Sequence, residues 1–165
     1  MTPSSLTAGL FKLRFKALGT ECIVQFRTAS VDGAKSFRAA ALSWIKEFEN
    51  TWSRFKPESL LSRINAGAGR VSFEVNEAQE HVLKLCDHTY RFTNGLNDPT
   101  SFPLTRLWDR MAKDDRLPSE EEISETKKLI SWPAVEWGDG RVFLPEKGMA
   151  LEIGGFGKEY AVDQL

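Results

Sequence analysis

The first pattern along the chain is an alternation of apolar and polar residues. It covers residues 11–17 and resumes over residues 22–26, with Gly19 in the interruption between them. A period of two is typical of a half-buried β-strand, and a glycine inside such a run indicates a kink. The sequence therefore predicts a strand, a glycine kink and a second strand.

The period then changes to that of a helix. From Ala34 onwards one face is apolar, and its members are Phe37, Ala41, Trp44, Ile45, Phe48 and Trp52. We expect this helix to end before Pro57, because a residue that precedes proline is disfavoured in the helical region. Its aromatic stripe is interpreted as core rather than as a stacking platform for bases.

Two capping-box patterns predict further helices. Asn76 with Gln79 indicates a helix to about Phe92, and Ser119 with Glu122 indicates one that continues through Ile130. Residues 60–65 predict a short helical turn between the first two long helices.

Strands are expected at 71–75, 133–144 and 149–153, with residues 142–144 pairing with 149–153 around the turn at 145–148. Residues 154–157 then lead into a last helix. The predicted fold class is α+β, an antiparallel sheet packed with helices, in a single domain over residues 1–165. That last helix has no returning strand after it, which predicts an incomplete domain.

Composition excludes several classes of protein. The chain has 165 residues, of which 41% are hydrophobic, and 22 basic against 23 acidic residues give a net charge of −1. An apolar share of this size argues against disorder, and the absence of a basic excess argues against a nucleic-acid partner. No apolar run is long enough for a membrane span and the start lacks the pattern of an export signal, so we expect a cytoplasmic location for the chain as given.

The segment Gly154-Gly155-Phe156-Gly157-Lys158 is the strongest candidate for chemistry. Glycines between a predicted strand and helix let backbone amides approach a phosphate, and a lysine in the first helical turn suggests that an anion is held there. Glu152 and Glu159 exclude a P-loop, and Tyr160 excludes the dinucleotide fingerprint. A tight turn with close helix packing remains an equally open interpretation.

Two carboxylates are further candidates. Asp98 is followed by Pro99, and its ordinary role would be an Asx turn that caps the next segment. Glu152 stands among apolar residues beside the glycine segment, which favours contact with a metal ion or with donors on a ligand. His81 and His88 lack the spacing of a zinc-protease helix and are interpreted as surface residues.

Four segments together resemble one family, the FAD:protein FMN transferases, also known as the ApbE or thiamine-biosynthesis lipoprotein family. The segments are residues 17–20, residues 52–65, residues 94–100 and residues 149–163. The last is close to the family pattern Asp-Leu-Gly-Gly-Ile-[Ala/Gly]-Lys-Gly-Tyr-Ala-x-Asp. The resemblance covers the first half of the family domain, which is related to the T-fold.

The resemblance implies a transferase that moves FMN from FAD to a Ser or Thr hydroxyl of an acceptor protein, with AMP leaving and Mg²⁺ assisting. FAD is the substrate. By position, the flavin would be flanked by Leu18 and Phe55, and the remaining FAD contacts would be Leu96, Asn97, Asp98, Glu152 and Lys158. Gly155 would offer its carbonyl to the metal, and the later half of the family domain would supply an Asp and a Thr ligand.

The chain also departs from the family pattern. Leu18 replaces a methionine, Asn97 an apolar residue, Glu152 an aspartate and Glu159 a glycine. These departures keep a second hypothesis open, namely a non-catalytic flavin-binding or interaction remnant of the same scaffold. Either way, a complementary segment or a second copy of the chain is an expected partner for full FAD binding.

Overall fold

The computed structural model describes residues 4–7 and 9–165, with side chains from residue 9 onwards. The prediction that the start of the chain lacks an export signal concerns its first residues, and residues 1–3 and 8 lie outside the described part. Within the described part, no helix is long and apolar enough to cross a membrane.

The N-terminal strands form an antiparallel sheet of β1 (Ser4–Thr7), β2 (Leu10–Ala17) and β3 (Thr20–Arg27), in that order. β2 and β3 pair along their full lengths, with Ala17 opposite Thr20. The interruption predicted as a kink is therefore a two-residue hairpin turn. Both central residues have positive φ, 52° at Leu18 and 71° at Gly19, as a type I′ turn requires. The strand β1 was not predicted.

The helices are α1 (Val31–Trp52), α2 (Leu60–Gly67), α3 (Glu77–Phe92), α4 (Phe102–Lys113), α5 (Glu120–Lys127) and α6 (Gly157–Gln164). The two predicted capping boxes are present at the starts of α3 and α5, where each cap side chain and its partner bond reciprocally. α1 begins three residues earlier than predicted because Ser30 accepts a hydrogen bond from Gly33 N and caps it.

Helix α4 was missed, and its apolar residues explain why it forms. Pro103 lies in the first turn, where proline is tolerated, and Pro103, Leu107 and Met111 recur at a spacing of four on the buried face. The prediction for α5 was too long, since the helix ends at Lys127 and not at Ile130.

The second sheet has the order β4 (Phe73–Glu74), β6 (Arg141–Phe143), β5 (Glu136–Gly138), and all its pairs are antiparallel. The predicted pairing of 142–144 with 149–153 is wrong. β6 lies between β4 and β5, so neither of its edges is free for a third partner. Residues 149–153 form no strand: Leu151 N donates to the Asn65 side chain at 2.7 Å, and Glu152 N donates to the Pro99 carbonyl at 2.8 Å.

The segment 149–153 crosses the main core. Met149, Ala150 and Leu151 are buried in succession, and Met149 and Leu151 belong to the same core cluster as Trp132 and the buried residues of α2 and α3. A smaller cluster joins the hairpin to α1 through Leu13, Phe15 and Ile45. The α+β prediction is confirmed, with the core holding the segment that leads into the glycines. The predicted surface position of His81 and His88 is confirmed as well.

Candidate functional site

Two neighbouring pockets are lined in part by the glycine segment. We call the first, about 610 Å³, the hairpin pocket, because it lies beside the tip of the β2–β3 hairpin. The second, about 640 Å³, is the loop pocket beside residues 95–98. Gly154 lines the hairpin pocket and Gly155 lines the loop pocket, so adjacent residues of the glycine segment contribute to different pockets.

The residues predicted from sequence divide between these hollows. Leu18, Phe55, Glu152 and Lys158 line the hairpin pocket. Leu96, Asn97, Asp98 and Gly155 line the loop pocket. Segments that are far apart in sequence are thus brought together around one glycine turn.

The hairpin tip is fixed by a carboxylate of α1. Leu18 N donates to Glu49 Oε1 at 2.9 Å, across 31 positions of sequence. The other oxygen of Glu49 lies 3.6 Å from Lys56 Nζ. Glu49 therefore connects the hairpin tip to the loop that carries Phe55, and these are two walls of the hairpin pocket.

Arg54 also lines the hairpin pocket. Its Nε lies 3.3 Å from Glu152 Oε1, and its guanidinium carbon stands 4.5 Å from the centre of the Phe55 ring. The ring of Phe102, the first residue of α4, has its centre 5.1 Å from the same guanidinium carbon. Phe55 itself is 76% exposed, so its ring is open to a planar ligand.

Side chains pack directly against the two glycines. A Cβ on Gly154 would lie 2.8 Å from Glu152 Oε1, and a Cβ on Gly155 would lie 2.8 Å from Asn97 Nδ2. Neither glycine has a positive φ. At both positions the close neighbour is the end of a flexible polar side chain, so a larger residue would displace that side chain, and no unusual backbone conformation calls for glycine.

The Asp98 carboxylate accepts hydrogen bonds from within the protein. Its Oδ1 accepts hydrogen bonds from Thr100 N at 2.7 Å and from Thr100 Oγ1 at 2.6 Å, and its Oδ2 accepts one from Trp132 N at 3.3 Å. The Asx-turn interpretation is confirmed. Asp98 also lines the loop pocket.

Lys158 brings positive charge to the hairpin pocket. It lies in the first turn of α6 and forms no ion pair with the side chains from residue 9 onwards. Burial raises the pKa of the nearby Cys22 thiol, and the Lys158 ammonium opposes that rise. Arg54 and Lys56 are each offset by a carboxylate, so Lys158 and the amino end of α6 are left to attract an anion.

A magnesium site is not completed by these residues. Within residues 9–165 no three carboxylate, histidine or cysteine side chains come together as a metal would need. The carbonyl of Gly155 accepts no backbone hydrogen bond from the described part of the chain, which leaves it available as a single ligand. Mg²⁺ requires about six oxygen ligands, so the rest would have to come from water, substrate or other residues.

Sequence reasoning missed the residues that hold the pocket walls in place. Glu49 is a charged residue outside the predicted apolar face of α1, and nothing local in the sequence indicates its bond to Leu18. Arg54 stands inside one of the four family-like segments, and that position was its only signal. Lys127, which lines the loop pocket, was likewise not singled out.

Comparison with solved structures shows that this chain has the fold of ApbE proteins. An ApbE protein of Thermotoga maritima superimposes with a TM-score of 0.83 at 28% identity, over 94% of this chain and 50% of the other. The flavin transferase ApbE of Vibrio cholerae, as its H257G mutant, gives 0.84 at 19% identity, over 94% and 54%. At that lower identity only the fold is shared.

The chain belongs to the ApbE family, whose model matches residues 18–165. A FAD:protein FMN transferase of Chlamydia pneumoniae is 27% identical over 121 residues, which are 72% of this chain and 38% of that protein. A second, from Chlamydia trachomatis, is 28% identical over 119 residues, 71% and 38%. The chain spans less than half the length of these curated relatives and about half of the solved chains. The family predicted from the four segments is confirmed.

Proposed function

We propose that this chain forms the FAD-binding part of a FAD:protein FMN transferase. The observation that carries the proposal is the hairpin pocket. Leu18, Phe55, Glu152 and Lys158 come from three distant segments and line one hollow. Relatives that match most of this chain bear the same activity in their names.

The reaction joins the acceptor hydroxyl to the phosphate of FMN. The oxygen of a Ser or Thr on the acceptor protein attacks the phosphorus next to the flavin. The bond from that phosphorus to the bridging pyrophosphate oxygen breaks, AMP leaves with the bridging oxygen, and the hydroxyl proton passes to a base or to water. Such a displacement depends on alignment and on charge neutralisation more than on a covalent enzyme nucleophile.

This chain's own residues would bind and orient FAD. The exposed Phe55 ring and Leu18 offer apolar contact to the flavin, and Leu96, 92% exposed, offers the same at the loop pocket with Asn97 and Asp98 around it. Lys158 and the amino end of α6 would face the pyrophosphate.

We also propose that transfer requires Mg²⁺, with the Gly155 carbonyl as one of its ligands. A bound Mg²⁺ supplies charge neutralisation at phosphoryl oxygens. The remaining ligands would come from outside the described residues. A domain that continues beyond this glycine segment, or a complementary segment or second copy, would provide them.

The proposal is tested with FAD, Mg²⁺ and an acceptor protein that carries the target hydroxyl. In-gel flavin fluorescence of the acceptor and release of AMP should rise together, and both should vanish with a Ser/Thr→Ala acceptor or with EDTA. The test protein is this chain, alone and within a longer protein that contains it.

A second candidate is a flavin-binding module without catalysis. It is favoured by the incomplete metal site and by an Asp98 carboxylate already engaged by Thr100 and Trp132. Saturable FAD binding without acceptor labelling, in the longer protein as well, would select this candidate over the transferase.

A further inference from the structure

We propose that Arg54 is the positioning residue of the hairpin pocket. It holds the Phe55 ring and, through Glu152, the glycine segment in the geometry that binds the flavin. This proposal rests on the proposed function for its ligand, but its structural part can be tested without any flavin.

Arg54 contacts two walls of the pocket at once. Its Nε lies 3.3 Å from Glu152 Oε1, and the guanidinium lies 4.5 Å from the centre of the Phe55 ring. A planar guanidinium can stack on an aromatic ring and pair with a carboxylate in its own plane at the same time, which a lysine ammonium cannot do. The side chains of Arg54 and Glu152 are each 23% exposed, so the pair is partly shielded from solvent.

Two residues of α4 also contact the Arg54 guanidinium. The Phe102 ring lies 5.1 Å from its central carbon, and Asp109 Oδ2 lies 3.8 Å from its Nη1. Two rings and two carboxylates thus surround one side chain. With two carboxylates beside it, its positive charge is already offset, so it is better suited to positioning than to attracting phosphate.

Glu152 passes this constraint to the glycine segment. Its Oε1 occupies the space where a side chain on Gly154 would begin, 2.8 Å from the ideal Cβ position. The next turn is closed by Phe156 N and Gly157 N, which donate to the Ile153 carbonyl at 3.2 and 2.8 Å. Releasing Glu152 from Arg54 should therefore loosen the turn that opens α6.

The first measurement is amide hydrogen exchange at Phe156 and Gly157 without ligand. Arg54→Ala should accelerate exchange at both amides by about tenfold, and Arg54→Lys should give a smaller increase. Adding Arg54→Ala to Glu152→Ala should change little, since both act through one contact. Arg63→Ala is the matched control, because Arg63 stacks on Phe73 at 5.6 Å outside both pockets.

The second measurement titrates riboflavin, FMN and FAD into the same variants, in this chain or in a longer protein that contains it. Arg54→Ala should weaken all three ligands by a similar factor, roughly tenfold, because the flavin ring is common to them. Arg63→Ala should stay within about twofold of wild type.

Two results would overturn the proposal. One is unchanged exchange at Phe156 and Gly157 in Arg54→Ala. The other is riboflavin binding that is spared while FMN and FAD weaken, which would make Arg54 a phosphate ligand. A wild-type protein that binds no flavin at all would instead refute the proposed function, and hydrogen exchange would still decide on the positioning role.

Discussion

Leu18 N donates a hydrogen bond of 2.9 Å to Glu49 Oε1, and this bond joins the tip of the β2–β3 hairpin to α1. Leu18 has a φ of 52°, which is costly for a residue with a Cβ. The bond to Glu49 helps to offset that cost. A turn that would be easier with Asn or Gly keeps a leucine whose side chain lines the hairpin pocket.

Glu49→Ala should therefore destabilise the protein and weaken flavin binding. The partly buried Leu18 amide loses its acceptor, which costs about 1–2 kcal/mol in the free energy of unfolding. Glu49→Gln keeps an acceptor oxygen and should recover most of the loss. Urea unfolding followed by tryptophan fluorescence measures the effect, and Glu47→Ala, on the exposed face of the same helix, is the control. Equal stability of the Ala variant and wild type would show that the bond contributes nothing.

Asp98→Ala should have a larger effect on stability. Thr100 is fully buried, and both its amide and its hydroxyl donate to Asp98 Oδ1. Removing the acceptor leaves two donors unsatisfied, so we expect a loss of about 2 kcal/mol or more in chemical denaturation. Asp98→Asn should be intermediate, and Asp114→Asn should be close to neutral. If Asp98→Ala unfolds like wild type but loses FAD, the carboxylate acts on the ligand and not on its own loop.

The sequence was informative where a single segment determines the structure. The alternation of β2 and β3, the apolar face of α1 and both capping boxes are local patterns, and each appears in the structure. The predicted strand at 149–153 failed because its alternation does not show where its backbone hydrogen bonds go. They are taken by Asn65 and Pro99, which are distant in sequence.

The same difference between local patterns and contacts of distant segments decides which site residues could be predicted. Phe55 and Lys158 could be proposed from family-like motifs, because a motif carries its residues with it. Glu49 could not, since its bond to Leu18 depends on how the hairpin packs on α1. The pairing of Arg54 with Glu152 spans 98 positions and depends on the tertiary fold in the same way.

Gly155→Ala should leave the fold intact and disturb the loop pocket. The new methyl group would meet the Asn97 amide at 2.8 Å, and this amide can swing away because it is the end of a side chain. We expect a small change in melting temperature but weaker FAD binding. In an Asn97→Ala background the same substitution should cost little further affinity, since the clash is gone. Additive losses in the double variant would contradict this explanation.

The acid limb of stability should depend on Glu122. Hydrogen bonds from Arg116 and from the Ser119 amide lower the pKa of Glu122 to about 2, against an ordinary value of 4.5. A folded-state pKa below the unfolded one gives stabilisation that is present above about pH 4.5 and is lost as the pH falls towards 2. Urea midpoints measured from pH 5 to pH 2 should fall less steeply for Glu122→Gln than for wild type. Parallel curves would refute the assignment.

Lys158→Ala tests whether the glycine segment holds the pyrophosphate. Lys158 lies beside the amino end of α6, and it forms no ion pair with the described side chains around it. A charge-assisted contact to a phosphate is worth about 1.5–3 kcal/mol, so its loss should weaken FAD about ten- to a hundredfold. Riboflavin, which has no phosphate, should bind almost as before.

Glu152→Ala should behave differently from Lys158→Ala. A carboxylate does not attract phosphate, and in this structure Glu152 pairs with Arg54 and lies against Gly154. Its removal should therefore weaken riboflavin and FAD alike while the protein stays folded.

Lys113→Ala, on the exposed end of α4, is the charge-matched control for Lys158→Ala. Wild-type FAD affinity in both the Lys158 and Glu152 variants would mean that neither side chain acts on the ligand, Glu152 merely ending its segment and Lys158 being a solvent-exposed helix residue. The hairpin pocket would then not be the FAD site, and the description of the fold would be unaffected.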